Sequence, residues 1–568
     1  MSAVNSTEAR ILAERLAAAD DAALARLLES RRIAPRAPWH DFFDAAEALL
    51  APDAVARAVA ALPRDALAQL AAQSGPERLG LTDPDGRPYQ AVRVALGGIA
   101  PVPTPDRTPA AASESAAAHA AERAFTTLST LADVLLLAVR TPLSRVGSGT
   151  LGASDRRRML QAEIVRDLHE ADELVALAEV TGLLAVADRA WLVTPRGAQW
   201  VAESTPVRWA HLATALRTAL PAGLRSPGGG WIAPSLWGDA YPLDEEWPAR
   251  ARHWRRLMEL TGLTAEGESR DEPPTEPAWA VSLREGGDAD PAPLVALLPH
   301  EVDRVFLQND LTAISPGPLA PALDVRLQGI ATRESHAQAS TYRFTESSIA
   351  GALSAGETAA GILEFLSEIS LTGVPQPLEY LVQRIAERHG LVRVAVDPDS
   401  GHTVVTSRDA GLLETIAVDQ ALRALGLVPD GERLRTRVAR ETAYWALADA
   451  RYPVVAVDRH GRTETLARHR IAAAEDDAGP EDRYAALVER LRSAHGADAD
   501  RAWLERELDA AVRDKALLSV EVALPDGSTR SFTLEATGLG GGRLRGRDRG
   551  ADVERTLPVK SITSVRHV

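Results

Sequence analysis

Cysteine is absent from this chain of 568 residues, which excludes disulfides and thiolate zinc sites outright. Lysine is almost as scarce. Lys515 and Lys560 are the only two, so arginine carries nearly all the positive charge. A phosphate-binding loop of the G-K-[ST] kind needs a lysine directly behind a glycine, where its ammonium neutralises phosphates cradled by backbone amides. Asp514 precedes Lys515 and Val559 precedes Lys560, so no Walker-type ATPase can be built from these residues. Long apolar runs are also missing: the most apolar stretch, Leu131 to Val139, is roughly half the length that spans a bilayer. With the polar start Met1-Ser2-Ala3-Val4-Asn5, that predicts no signal peptide, no membrane partner and a cytoplasmic location.

Catalytic signatures are missing too. No H-E-x-x-H or G-x-S-x-G occurs. The 13 histidines are scattered, and His300, His336 and His389 share a region without ligand spacing. Carboxylate pairs such as Asp476-Asp477 and Glu245-Glu246 sit in polar segments and read as solvated faces. The expectation is a non-enzyme with no catalytic residues, no metal and no cofactor.

What is present is ordinary for a multidomain protein: 45% apolar residues, 4% aromatic, and enough length for about three to five domains. The net charge of −16 argues against a chain that coats nucleic acid along its whole length, so any such contact must be a local patch.

The patterning predicts a multidomain α+β protein with a mostly helical N-terminal half. Residues 1–110 form a helical region, with apolar residues at helical spacing (Ile11, Leu12, Leu16; Leu24, Leu27, Leu28) and prolines at the turns. Residues 112–225 read as a winged-helix module. A helix over Ala121–Val139 precedes two more, beginning near Ser154 and Ala171, and apolar runs at Leu183–Val186 and Ala190–Val193 form the wing hairpin. Residues 226–298 read as a Pro/Gly/acidic linker around a helix at Trp247–Leu260, mobile over Glu266–Pro277. Residues 299–475 alternate short β-like runs with helices, an α/β signature. Residues 480–568 give helices and then short strands with Gly and Asp turns, including Pro525-Asp526-Gly527, which suits a small β-barrel.

Three motifs carry the candidate contacts. Gly147-Ser148-Gly149-Thr150-Leu151-Gly152 matches G-x-G-x-x-G, but without a preceding strand it reads as a loop opening a helix-turn-helix, with Ser154 and Asp155 as caps. Arg156, Arg157 and Arg158 then begin a helix, and Arg189 and Arg196 flank the wing. They are either phosphate contacts or a solvated face of an arginine-biased chain. Arg543, Arg545, Arg547 and Arg549 alternate at period two, which on a strand makes a positive comb or, interrupted by Asp548 and Asp552, a soluble turn. From Arg513 onward there are ten basic and seven acidic residues, a local reversal of the overall charge.

Residues 304–395 resemble the N-terminal, non-ATPase domain of XPB-type helicases. The likeness runs through Val305-Phe306-Leu307-Gln308-Asn309-Asp310-Leu311-Thr312, Thr341-Tyr342-Arg343-Phe344-Thr345, Leu353-Ser354-Ala355-Gly356, Ile362-Leu363-Glu364-Phe365-Leu366 and Pro375-Gln376-Pro377. The arrangement is similar to actinobacterial helicase-associated proteins that carry this helicase C-terminal module without a motor. The last fifty-odd residues are similar to the small barrel of WYL-type domains, although the Trp-Tyr-Leu triplet is missing. The resemblance implies a non-catalytic, DNA-associated accessory or regulatory protein, with DNA and a separate XPB-type helicase or other DNA-processing protein as partners. The alternatives are a protein-interaction scaffold without DNA contact and a ligand-responsive transcriptional regulator working through the barrel. Gln308, Asp310, Thr312, Tyr342 and Arg343 are the family's signature positions, read as holding the fold or binding a partner.

Overall fold

A computed structural model describes residues 3–73, 80–97, 105, 107–147, 149–267, 272–335, 340–464, 466, 471–473, 479–496, 499–524 and 528–567. The chain is mixed α/β, with several sheets and, among the described residues, five hydrophobic cores.

The N-terminal helices fall where the spacing predicts: Ala3–Ala18, Asp21–Ser30, Phe42–Leu50, Pro52–Ala60 and Arg64–Ala71. Asp20 and Asp41 cap two of them by accepting from the backbone N–H of Ala23 and Asp44, and Pro52 opens a third. Their apolar faces (Leu12, Leu16, Leu24, Phe42, Leu49) are not closed by their own segment. The Pro480–Ala494 and Ala499–Asp514 helices complete that core with Tyr484, Leu487, Leu491 and Trp503. Tyr484 donates to the Ile33 carbonyl at 2.7 Å, and Arg506 pairs with Asp44 at 3.0 Å. Glu507, fully buried on the last helix, accepts from Thr7 and from Arg10.

The second core spans the segment from Ala120 to Leu294. The Glu114–Arg140, Ala153–Gln161 and Leu168–Val180 helices pack with a three-stranded antiparallel sheet in the order Leu143–Ser144, Ala190–Val193, Leu184–Ala187. Asp188 and Arg189 join the last two strands, both at positive φ (47° and 64°), the geometry of a tight primed hairpin turn. Described residues of the segment expected as a linker, from Trp231 to Leu294, are built into this same core. The helix sits at Trp247–Leu260 as anticipated, and Trp231, Trp237, Trp247 and Trp279 are buried around it. Three of the indole N–H groups find partners: Trp237 donates to Ile232, Trp247 to Trp237 and Trp279 to Gly262. Residues 268–271 of the stretch expected to be mobile lie outside the described residues, and two glycines elsewhere in the segment serve close packing. A Cβ on Gly230 would collide with the Arg284 carbonyl, and one on Gly286 with that of Gly228.

Residues 299–475 hold two cores rather than one. The first lobe has a four-stranded sheet (order Phe306–Leu307, Thr312–Ser315, Ser340–Arg343, Thr332–Ser335) under the Glu346–Ser354, Ala359–Ile369 and Gln376–Arg388 helices. The second has a six-stranded sheet ordered Val428–Asp430, Arg433–Thr436, Thr403–Ser407, Val392–Val396, Val454–Val457, Thr463–Glu464. Its helices, Ala410–Val418 and Arg440–Asp449, cover one face.

The C-terminal strands correct the expected barrel. Five strands run in the open order Val553–Pro558, Arg543–Asp548, Thr529–Gly540, Leu517–Ala523, Ile562–His567, and the two edges are unpaired among the described residues. The inner face (Leu518, Val520, Leu534, Leu544, Val565) packs on Leu508 and Ala511 of the Ala499–Asp514 helix. A helix thus fills the place of a far barrel wall. The Pro525-Asp526-Gly527 turn lies outside the described residues. No single helix among them is long and apolar enough to cross a membrane.

Candidate nucleic-acid interface

The glycine pattern at 147–152 is a loop entering the Ala153–Gln161 helix, and Ser148 lies outside the described residues. The expected caps are not caps. Gly152 occupies the cap position, and Asp155, buried in the first turn, reaches back to accept from the Ser144 backbone N–H at 2.8 Å. The arginines that follow are largely neutralised. Arg156 pairs with Asp172 (2.8 Å) and Arg158 with Asp155 (2.9 Å), while Arg196 grips Glu203 through both terminal nitrogens (2.6 and 3.0 Å). Arg157 and Arg189 remain exposed, with no side-chain partner among the described residues. The third helix, Leu168–Val180, is acidic and covered: Glu170 and Glu173 are buried in it, and Arg256 from the Trp247–Leu260 helix holds Glu173 at 2.8 Å.

The C-terminal comb forms in part. Along Arg543–Asp548 exposure strictly alternates, so Arg543, Arg545 and Arg547 share the outer face while Leu544, Gly546 and Asp548 point inward. Arg547 is held by Asp552 (2.8 Å); Arg549, beyond the strand, is held by Glu535 (2.6 Å). Arg543 and Arg545 have no side-chain partner among the described residues. They stand opposite Gly540 and Gly538, where an added Cβ would meet nothing within 4 Å. The result is two free guanidinium groups beside bare backbone, open to a bulky anion.

The signature positions of the first lobe make contacts within that lobe. Thr312 donates to Asp310 (2.6 Å) and Gln308 (3.1 Å), closing a tight turn in which Leu311 takes φ 64°. Arg343 pairs with Glu334. Tyr342 is fully buried, and its hydroxyl donates to Asp324 at 2.7 Å. Burial, and then the Asp324 charge, push that phenol well above its ordinary pKa.

Tyr342 belongs to a charged junction that sequence reasoning missed. Arg333 reaches from the first lobe to Asp133 on the Glu114–Arg140 helix (2.9 Å) and also pairs with Asp324, and Gln328 donates to Asp133 at 3.2 Å. Burial opposes the charge on Arg333, but Asp133 and Asp324 outweigh it and hold the guanidinium protonated more firmly than usual. Nearby, burial lowers the Arg208 pKa to about 10. The available signal was Asp133 itself, a lone acid inside the most apolar stretch of the chain.

Between the two lobes lies a cleft of ≈ 270 Å³, lined in part by Ser354, Glu357, His389, Val455 and Glu464. Ser354 Oγ is 3.4 Å from His389 Nε2, and burial lowers the imidazole pKa. Glu357 and Glu464 are turned to Arg326 and Arg440, so no carboxylate among the described residues orients His389 as a base. His300 lies apart from this cleft; His336 and Asp476-Asp477 lie outside the described residues.

Residues 305–429 match the family described as helicase conserved C-terminal domain. The match covers the first lobe and runs into the edge strand of the six-stranded sheet, well short of half the chain. The chain therefore carries a helicase-associated domain. Across curated proteins, no relative matches it.

Proposed function

We propose that this chain is a helicase-associated accessory protein that has no motor of its own and meets nucleic acid through the outer face of its C-terminal sheet. One observation carries the reading: a helicase-associated domain at 305–429 sits in a chain whose two lysines both lack the preceding glycine that triphosphate binding requires. Free Arg543 and Arg545 beside open glycine backbone support the contact, which needs no cofactor. We read residues 112–225 as a winged-helix module because of its order of helix, strand, two helices and hairpin. Its covered third helix makes it a scaffold, leaving Arg157 and Arg189 as its exposed cations. The test is duplex DNA binding followed by fluorescence anisotropy across a salt series, with ATP turnover measured on the same preparation. The full chain binds DNA, Arg543→Ser/Arg545→Ser lowers the slope of log K against log salt by about 2, and ATP is not consumed. Robust turnover, or an unchanged slope in that variant, would overturn the reading.

A second reading, a protein-interaction scaffold, is favoured by the net charge of −16 and by an exposed apolar pair. Phe306 (41% exposed) and Leu371 (52%) follow the bridged pair Val305 and Ser370, and the strand pleat brings them to the same side. It predicts no DNA shift from any part of the chain.

A further inference from the structure

One face of the second lobe's six-stranded sheet lies under its helices; on the other, Arg393 and Arg435 are exposed, while Val404 and Val455 beside them are buried, Val455 against the cleft between the lobes. Val392, Val394, Val405, Leu434, Val454 and Ala456 point into the core beneath its helices. The pleat sends the alternate residues to the opposite face, and the strand register places them side by side. Arg393 stands between Thr406 and Val455, and Arg435 between Val428 and Val404. Arg433 lies on the same face, tied to Asp430 (3.1 Å) and Asp397 (3.5 Å). Arg408 and Arg437 continue the alternation one residue beyond their strands and are exposed. Arg393, Arg408, Arg435 and Arg437 have no side-chain partner among the described residues. Arginines two apart on a strand lie about 7 Å from one another.

We infer that this face is a second nucleic-acid contact, one that grips the phosphodiester backbone without reading bases. The residues beside the arginines are short, Ala395, Val404 and Thr406 with Val428 and Val455 at the flanks, and no aromatic side chain occurs among them to stack a base. A protein partner would need a buried anchor, which these residues do not offer, whereas planar guanidinium groups at regular spacing fit phosphates. The face is cationic in a chain of net charge −16 and lies far in sequence from Arg543 and Arg545.

Labelled duplex of arbitrary sequence, titrated with the full chain across a salt series, tests this. Arg393→Ser/Arg435→Ser should weaken low-salt binding at least several-fold and lower the salt slope by about 2. Arg393→Lys/Arg435→Lys should retain most of the binding. The same loss should occur in the Arg543→Ser/Arg545→Ser background, so the two surfaces are scored independently. Parental affinity and slope in the serine pair would overturn the inference while leaving the C-terminal contact to stand or fall by its own variant. Polyglutamate binding equally well, and lost in the same variant, would overturn it in favour of an acidic protein partner. If the serine pair melts early, Arg435→Gln alone gives the reading, with an expected slope change of about 1.

Discussion

Arg333 and Asp133 show how much can rest on single residues. Each is nearly buried; without Arg333, Asp133 would keep the neutral Gln328 as partner, whereas Arg333 also pairs with Asp324. Removing one partner of such a pair typically costs about 3–5 kcal/mol. Arg333→Ala should therefore destabilise the chain by that order, seen in urea unfolding followed by tryptophan fluorescence, and Asp133→Asn by less, because an amide still accepts a hydrogen bond. Glu507 gives a test against pH. Burial raises its carboxyl above the usual 4.5, against the opposing pull of Arg10 and Thr7. Its contribution is complete below the unfolded value and is lost as pH rises through the higher folded value. The melting temperature of the parent, measured relative to Glu507→Gln, should accordingly fall as the pH is taken from acid toward neutrality.

Elements were legible where periodicity and caps agreed. The N-terminal helices, the Trp247–Leu260 helix and the hairpin around Asp188 and Arg189 sit where apolar spacing and turn residues put them. Composition misled in residues 226–298, because glycine signals mobility and tight backbone contact alike; Gly230 and Gly286 serve the second. Limited proteolysis should leave residues 226–267 uncut. Trp247→Ala should cost about 3–5 kcal/mol, a core penalty that a linker residue would not incur. The arginines at 156, 158 and 196 are paired: Asp172 is brought to Arg156 from the next helix, while Asp155 and Glu203 are near neighbours of Arg158 and Arg196 along the chain. The face bearing Arg393 and Arg435 escaped notice for another reason. Its residues come from strands separated in sequence, which only the register brings side by side.

At the scale of the molecule, the matched domain does not stand alone. The Arg333 junction ties it to the core before it, and Ala472 donates to Val193 to bring the chain back to that core afterwards. The two ends of the sequence then share a third core. Deleting residues 480–568 should therefore harm the opposite end of the molecule. Hydrogen exchange in the Ala3–Ala18 and Asp21–Ser30 helices should accelerate markedly, while the Glu114–Arg140 helix keeps its protection. The same sharing constrains biosynthesis. At about 5–20 residues per second, on the order of half a minute or more separates synthesis of the first helices from that of Leu487 and Trp503. Through that interval a growing polypeptide presents greasy, half-finished helices to solvent, so heat or chaperone depletion should strike the nascent protein well before it threatens the mature one.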